Sequence, residues 1–181
     1  MARRILYQTL DNRGNADDVE RCAPYECTRE DAWLGRGFYF WDTFIELAHL
    51  WGKCSYKDNY YICSVPCEYS DDDILDLVGN TEQISDLRRI ATLLEAEYGK
   101  HLTIPFIIAY LRSKTTFIYK MIRAESQDTF SALVSYRRFF VEGRRPYLNL
   151  CPAIQCCVVD KSILKLPVKI VFPQDYCEGC F

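Results

Sequence analysis

Hydrophobic and aromatic residues cluster in short runs that predict strands towards both ends of the chain. The run RRILYQT at residues 3–9 leads into a turn-rich segment, and GRGFYF at residues 35–40 places three aromatic residues after two glycines. Further strands are predicted over residues 59–65, where Pro66 ends the run, and over residues 116–122, 153–159 and 168–172. Residues 127–140 fit a helix and a strand equally well.

Helical periodicity lies between these strands. Residues 43–52 predict a helix that a capping box of Thr43 and Glu46 opens and a final glycine ends. A longer helix is predicted from Thr81, because apolar residues recur three and four positions apart on one face. That face consists of Ile84, Leu87, Ala91, Leu94 and Tyr98, and we expect it to pack on the sheet. Residues 105–112 predict a further buried helix.

Strands at both ends with helices between them predict an α+β fold rather than a regular βαβ array. The 181 residues suit one domain, residues 1–181, in which residues 173–181 form a cysteine-containing C-terminal tail. No apolar run approaches the roughly 20 residues of a membrane span. Because residues 1–7 lack the apolar segment of a secretory signal, we expect a cytoplasmic protein without a membrane partner.

The cysteines raise the question of a metal site. Of the ten, Cys63 with Cys67 and Cys177 with Cys180 have spacings that could suit a structural zinc if the C-terminal tail folded back. No histidine flanks either pair, and the two histidines of the chain have no paired-ligand spacing. In a reducing compartment we expect the thiols to be reduced and mostly buried, and the protein to bind no metal.

Three short segments carry the most specific signal. They are residues 6–9 (LYQT), residues 34–42 (LGRGFYFWD) with the helix that follows, and residues 149–160 (NLCPAIQCCVVD). In this order they resemble the ADP-ribosyltransferase-like domains of bacterial toxins, phage-defence proteins and poly(ADP-ribose) polymerase-type folds. Those families often open with Tyr-His-Gly-Thr or an Arg equivalent, continue with Gly-x-Gly-Phe-Tyr before a helix, and end on a strand with Glu or Gln. Phosphate-binding Gly-x-x-x-x-Gly-Lys and nucleophilic Gly-x-Ser-x-Gly segments are missing from the sequence.

The resemblance implies two small, mostly antiparallel sheets around a cleft, with helices packed on them. The cleft would bind NAD as a substrate and transfer ADP-ribose to an unidentified protein or nucleic-acid acceptor. Tyr39 would stack on the nicotinamide, and Gly37 and Phe38 would shape the pocket. The two side chains that flank Tyr39 would point to the opposite face of the sheet.

The other two segments supply the remaining site residues of the resemblance. Gln8, followed by Thr9, would hydrogen-bond the adenosine ribose, and Gln155 would lie next to the nicotinamide ribose. Because one bent dinucleotide must touch all three segments, the strands that carry Gln8 and Gln155 are expected to lie side by side. Both side chains would then face the cleft that contains Tyr39.

Two departures from the family pattern bear on catalysis. Gln8 and Thr9 replace His or Arg followed by Gly-Thr, and Gln155 replaces the Glu of many transferases. A carboxylate stabilises an oxocarbenium-like centre by its charge, whereas an amide offers only a dipole. We therefore expect NAD binding with slow transfer, for which Tyr39 and Gln155 would be the catalytic residues. The alternatives are a non-catalytic module of the same fold, which binds a nucleotide or a partner, and an unrelated α+β protein whose aromatic strand is core. The sequence does not indicate an oligomeric state.

The charge balance excludes an overall basic surface for nucleic acid. Lys plus Arg number 22 against 25 for Asp plus Glu, so the formal net charge is −3. Residues 136–147 nevertheless interleave four arginines with aromatic residues, a pattern suited to phosphate binding and base stacking. This segment could hold an NAD pyrophosphate or a nucleic acid, or it could be a solvated loop.

Overall fold

The computed structural model describes residues 2–114, 117–126 and 131–174 of the chain. Its strands are β1 (Ala2–Asp11), β2 (Phe38–Asp42), β3 (Tyr60–Tyr69), β4 (Ile74–Asp76), β5 (Met121–Glu125), β6 (Arg137–Phe139), β7 (Tyr147–Asn149), β8 (Ile154–Val158) and β9 (Lys169–Phe172). Its helices are α1 (Ala16–Cys22), α2 (Ile45–Tyr56), α3 (Thr81–Tyr98) and α4 (Ile104–Arg112), and short 3-10 turns cover Asp71–Asp73, Ser131–Tyr136 and Lys161–Ile163. The fold class is therefore α+β, as predicted. Most of the C-terminal tail, with Cys177 and Cys180, lies outside the described residues.

Seven of the strands form one mixed sheet in the order β4-β5-β8-β2-β1-β3-β9. Only β4 and β5 are parallel neighbours in the described sheet, and β6 pairs with β7 as a separate antiparallel ribbon. The structure thus differs from the expected pair of small sheets. The reason is that β2 pairs with β8 on one side and with β1 on the other, which joins both halves into one sheet.

The alternation of side chains along β2 divides the core between the two faces of this sheet. Phe40 is buried on one face with Leu6, Cys156 and Val19 of α1. Tyr39 and Trp41 point to the other face, which α2 and α4 cover. Phe38 and Phe40 therefore point away from Tyr39, as the period of a strand requires.

Helix α2 begins and ends later than its sequence pattern predicts. Its N-cap is Phe44, and Thr43, with φ of +67°, donates its hydroxyl to Asp42 instead of capping the helix. The helix continues through Gly52, where a Cβ would lie 2.6 Å from ring atoms of Tyr60. The predicted capping box is therefore wrong, and Gly52 permits close packing of α2 on β3 rather than ending the helix.

Strand β3 also continues past its predicted end at Pro66, to Tyr69. It pairs with β1 along its whole length, but its pairing with β9 involves only residues 62–64. Pro66 therefore lies beyond the β9 ladder, where an irregular segment faces β3 and the Lys165 N–H donates to the Pro66 carbonyl at 2.8 Å. A proline is tolerated there because its missing N–H removes no ladder hydrogen bond.

Helices α3 and α4 pack on each other and also on the β4–β5 end of the sheet. Asn80 caps α3 by accepting hydrogen bonds from two backbone N–H groups of its first turn, and Gly99 ends the helix with φ of +66°. Leu87 and Leu94 of the predicted apolar face are buried against Ile107 of α4. Only the middle of the predicted face is thus buried.

The expected packing of α3 on the sheet is confined to its first turns. There the Gln83 amide accepts a hydrogen bond from the Asp76 N–H at 2.6 Å and donates one to the Ile74 carbonyl at 3.0 Å. Helix α4 covers the rest of the buried face.

Candidate functional site

The candidate site lies where β1 and β2 separate. These strands are in register at only two positions, Leu6 with Asp42 and Tyr7 with Trp41, whereas β1 and β3 are paired at ten. Beyond Tyr7 the two strands diverge, and a cavity of about 580 Å³ opens between them. This volume falls within the range of roughly 300–1,000 Å³ typical of small-molecule sites.

The loop of residues 23–37, which joins α1 to β2, forms much of the cavity wall, and we call it the α1–β2 loop. Aromatic residues, two of them from this loop, dominate the lining. They are Tyr7, Tyr25, Trp33, Tyr39, Phe40, Trp41, Trp51 and Tyr56. Burial raises the pKa of Tyr7 and of Tyr56, so both phenols stay neutral at physiological pH. Flat, uncharged rings of this kind suit a planar ligand.

Gln8 joins β1 to the α1–β2 loop from a nearly buried position. Its Oε1 accepts a hydrogen bond of 3.0 Å from the backbone N–H of Tyr25, and its Nε2 donates to the Tyr25 carbonyl at 3.0 Å. The same Nε2 lies 3.2 Å from the Tyr39 carbonyl, across the gap between β1 and β2. Both Nε2 hydrogens are therefore in use, and a ribose oxygen could accept from Gln8 only in exchange for one of these contacts. Oε1, by contrast, keeps a second lone pair to which a ribose hydroxyl could donate.

Tyr39 holds the other end of the same loop. Its hydroxyl accepts a hydrogen bond from the Leu34 N–H and donates one to the Gly35 carbonyl, both at 2.8 Å. Burial raises the pKa of this phenol far above its ordinary value, so the phenol stays protonated and cannot serve as a general base. The half-buried ring lines the cavity, while the hydroxyl is used to fix the turn at residues 34–35.

Gln155 completes the attachment from β8. It is paired with Trp41 in the β2–β8 ladder, and its Oε1 accepts a 2.8 Å hydrogen bond from the indole Nε1 of Trp33. The family pattern implied that the strands of Gln8 and Gln155 lie side by side. This expectation is wrong, because β2 lies between β1 and β8 in the sheet. Gln8, Tyr39 and Gln155 nevertheless line one cavity, and each of them bonds to the α1–β2 loop.

The remaining predicted site residues have structural contacts. Thr9 reaches the cavity, but its hydroxyl donates to the Ala48 carbonyl of α2 at 2.8 Å. A Cβ on Gly37 would lie 2.6 Å from the Cys157 sulfur, so a glycine is needed where the chain passes β8. Phe38 faces the opposite side of the sheet, where Lys161 lies over its ring. Neither Gly37 nor Phe38 is part of the cavity lining, which corrects their predicted role in shaping the pocket.

Charged groups stand at the edge of the cavity. Arg29 is the one cationic side chain in the described lining, and it forms two hydrogen bonds with Asp31, of 2.8 and 2.6 Å. Glu26 is similarly paired with Arg36, whose guanidinium lowers the pKa of this carboxyl. Both pairs are largely exposed, so a competing anion can exchange with the carboxylate of either pair at little cost.

A buried ion network behind the site was missed by the sequence analysis. Asp42 is almost fully buried next to Trp41. Its Oδ2 forms ion pairs with Arg123 Nε at 2.7 Å and with a terminal guanidinium nitrogen of Arg4 at 3.4 Å. Arg123 also reaches Asp76 at 3.0 Å, so four strands of the sheet are tied together. The sequence did contain a signal for this network, because Asp42 and Arg123 each lie within a largely apolar strand. Charged residues at such positions are buried only when they are paired, so the two could have been predicted to form an ion pair.

The described residues contain no cluster of three or more His, Cys, Asp or Glu side chains able to hold a metal. Cys63 and Cys67 are both buried in β3, where four residues span about 13 Å, so they cannot bind one ion together. Burial raises the pKa of each thiol to about 12. The searched helices also include none with the length and apolar character needed to cross a membrane.

Comparison with known proteins adds no relative. No family model, curated protein or solved structure matches the chain significantly.

Proposed function

We propose that the cavity between β1 and β2 binds NAD, and that the chain is an ADP-ribosyltransferase-like domain. The observation that carries this proposal is the meeting of Gln8, Tyr39 and Gln155 at one cavity, although they come from three strands far apart in sequence. The family pattern requires these three positions to converge on one ligand. An aromatic strand that served only as core would not require it.

The aromatic lining supports a ligand with two planar rings. Tyr39 and Trp33 lie on the Gln155 side of the cavity, while Tyr56 and Trp51 come from α2. The nicotinamide of NAD is a planar cation, for which an uncharged aromatic ring provides a favourable partner. The adenine can stack on a second ring in the same cavity.

Arg29 supplies the complementary charge for the pyrophosphate. It is an exposed arginine already held in a bidentate pair with Asp31, a geometry that a phosphate reproduces. Binding of NAD would exchange the Asp31 carboxylate for a phosphate oxygen. We therefore expect removal of the Asp31 charge to strengthen NAD binding and removal of the Arg29 charge to weaken it.

The transfer step would break the glycosidic bond between C1′ of the ribose and the nicotinamide nitrogen. Nicotinamide leaves as a neutral molecule with the bonding electron pair, a nucleophile on the acceptor forms the new bond to C1′, and the acceptor loses its proton to solvent. Gln155 would stabilise the oxocarbenium-like centre by its amide dipole alone. This chemistry favours slow transfer to an activated protein or nucleic-acid nucleophile.

A second candidate function is a nucleotide-binding module without catalysis. It is favoured by the state of the carboxylates, because the two in the described lining, Glu26 and Asp31, are each paired with an arginine near the surface. In addition, Gln8, Tyr39 and Gln155 all make internal hydrogen bonds. These contacts rigidify the cavity but assign no general base to it.

Calorimetric titration tests binding, with NAD, ADP-ribose and nicotinamide as separate ligands. We expect NAD to bind, Arg29→Gln to weaken it, and Asp31→Asn to strengthen it. Arg89→Gln, on the exposed surface of α3 and also paired with an aspartate, is the matched control. Absence of NAD binding by the wild-type protein would contradict the first candidate function, and absence of binding of both NAD and ADP-ribose would contradict the second as well.

Incubation with radiolabelled NAD and cell lysate then separates the two candidates. Release of nicotinamide together with label on a macromolecule supports transfer. Binding of NAD with neither product supports the non-catalytic module.

A further inference from the structure

The ribbon formed by β6 and β7 presents apolar and cationic side chains to solvent together. Phe139, Phe140 and Tyr147 have relative exposures of 60%, 69% and 41%, although aromatic rings are usually buried. Residues 136–147 also contain four arginines and one glutamate, in a chain whose net charge is −3. We call residues 137–149 the β6–β7 ribbon.

The arginines of the ribbon differ from most exposed arginines elsewhere in the protein. Of the seven exposed arginines outside the ribbon, Arg3 and Arg88 form no ion pair among the described residues. The other five each form an ion pair with a carboxylate; they are Arg13, Arg21, Arg29, Arg36 and Arg89. Within the part of the chain that the structure describes, Arg137, Arg138, Arg144 and Arg145 form none. The ribbon is thus a locally basic surface whose charge is not neutralised by the protein itself, which favours an anionic partner.

The geometry of the ribbon combines this charge with ring faces. Phe139 is opposite Tyr147 in the β6–β7 ladder, and their ring centroids are 6.3 Å apart at 73°. Arg137, two residues before Phe139 and therefore on the same face, has its guanidinium 4.6 Å from the Tyr147 ring centroid. One face of the ribbon accordingly carries a guanidinium and two rings in a row, the arrangement that stacks bases and contacts phosphates.

The ribbon is attached to the fold close to the cavity. Its two ends are joined by a hydrogen bond from the Leu150 N–H to the Tyr136 carbonyl, of 3.1 Å. Leu133 and Cys151, on either side of the ribbon, are buried in the same cluster as Trp41, which lines the cavity. The base of the ribbon is therefore fixed by packing, although its outer residues are exposed.

We propose that the β6–β7 ribbon binds single-stranded nucleic acid, by base stacking on Phe139 and Tyr147 and by phosphate contacts from the arginines. A single strand fits better than a duplex, because its bases have free faces for the exposed rings. Charge alone would attract any polyanion, and it is the combination with exposed rings that selects unpaired bases. This inference does not depend on NAD binding.

Fluorescence anisotropy with short fluorescein-labelled RNA and DNA strands of mixed sequence, in the absence of NAD, tests the proposal. We expect at least one of the single strands to bind and the matching duplex to bind more weakly. Phe139→Ala should weaken binding about 5- to 100-fold, as loss of one stacked base does. Removing Arg138 and Arg145 as Gln variants should lower the slope of log affinity against log salt by about 0.7 for each phosphate that is no longer neutralised.

Two further comparisons separate stacking from general hydrophobic contact and from loss of folding. Phe139→Trp should retain binding, whereas Phe139→Leu, which keeps the apolar surface but removes the ring, should behave like Phe139→Ala. Leu93→Ala, at a residue of α3 that is 65% exposed, and Arg89→Gln are controls that should leave binding unchanged. Circular dichroism confirms that each variant is folded, and Tyr147→Ala replaces any Phe139 variant that is not.

The proposal is overturned if neither strand binds, if the duplex binds as tightly, or if Phe139→Leu binds like the wild type. Binding to vesicles of phosphatidylserine and phosphatidylcholine without binding to either strand would likewise overturn it, in favour of a lipid surface. Because no NAD is present, these outcomes are independent of those that test the proposed function.

Discussion

Trp33 and Gln155 are joined by a 2.8 Å hydrogen bond from the indole nitrogen to the amide oxygen, although 122 positions separate them in the sequence. This bond connects the α1–β2 loop to β8 at the edge of the candidate NAD site. It makes Gln155 both a structural support of the loop and the polar group of β8 that borders the cavity. Substitutions at this position can separate the two roles.

Gln155→Glu keeps an acceptor for the Trp33 indole and adds the charge that the amide lacks. If the site transfers ADP-ribose, we expect turnover of NAD to rise by about 100- to 1000-fold, because a carboxylate stabilises the developing positive charge. Gln155→Ala should instead weaken NAD binding, since it releases Trp33. Nicotinamide release and calorimetric titration measure the two effects, and an unchanged affinity and turnover in both variants would show that Gln155 has no role in the site.

Gln8→Ala removes three hydrogen bonds and leaves both backbone groups of Tyr25 without their partner. Because Gln8 is only 6% exposed, we expect the free energy of unfolding to fall by about 1–3 kcal/mol. NAD affinity should fall as well, since the α1–β2 loop loses its attachment to β1. Urea denaturation measures the first effect, with Gln174→Ala at an exposed position as the control. Equal stability of the two variants would contradict the role of Gln8 as a clamp.

Stability should decrease in acid as the carboxylates that anchor β4 and its preceding turn are protonated. Lys120 and the Ser70 backbone and hydroxyl lower the pKa of Asp73 to about 2. A folded-state pKa below the unfolded value of about 3.9 contributes stability that is complete above that value and is lost as the pH falls towards 2. Asp73→Asn should therefore be less stable than the wild type at neutral pH, and its stability should change less below about pH 4.

Urea denaturation across this pH range measures the difference, and Asp72→Asn, at an exposed residue of the same turn, is the control. A parallel pH dependence of wild type and Asp73→Asn would contradict the assignment.

The thiols should fall into two reactivity classes. Cys22 and Cys54 are exposed, whereas burial raises the pKa of Cys63 and of Cys157 to about 12. Alkylation requires an accessible thiolate, so we expect iodoacetamide to modify the first pair long before the second at neutral pH. Peptide mass spectrometry assigns each site. Comparable rates for Cys22 and Cys157 would show that β8 opens readily.

Local patterns in the sequence predicted β1, β2, β3, β8, β9 and helices α2, α3 and α4, but not α1, β4 or β7. They placed a strand at residues 116–122, whereas β5 covers Met121–Glu125. The alternation in β2 was sufficient to separate Tyr39 from Phe38 and Phe40, because a strand of period two permits no other arrangement. The three- and four-residue spacing of α3 likewise predicted its length, since a helix repeats every 3.6 residues. These features depend on residues that are neighbours along the chain.

The partners of these elements were decided only by the tertiary structure. The spacing in α3 predicts a buried face but not that α4 covers it. The glycine at position 52 predicts a helix end, because the local sequence does not show that the ring of Tyr60, in β3, packs against it. The site depends most on such distant contacts. β1 and β2 separate after two paired positions, and Gln8, Tyr39 and Gln155 reach one loop from three strands. The periodicity of neighbouring residues cannot predict contacts between residues this far apart in sequence, because these contacts form only when the whole sheet is assembled.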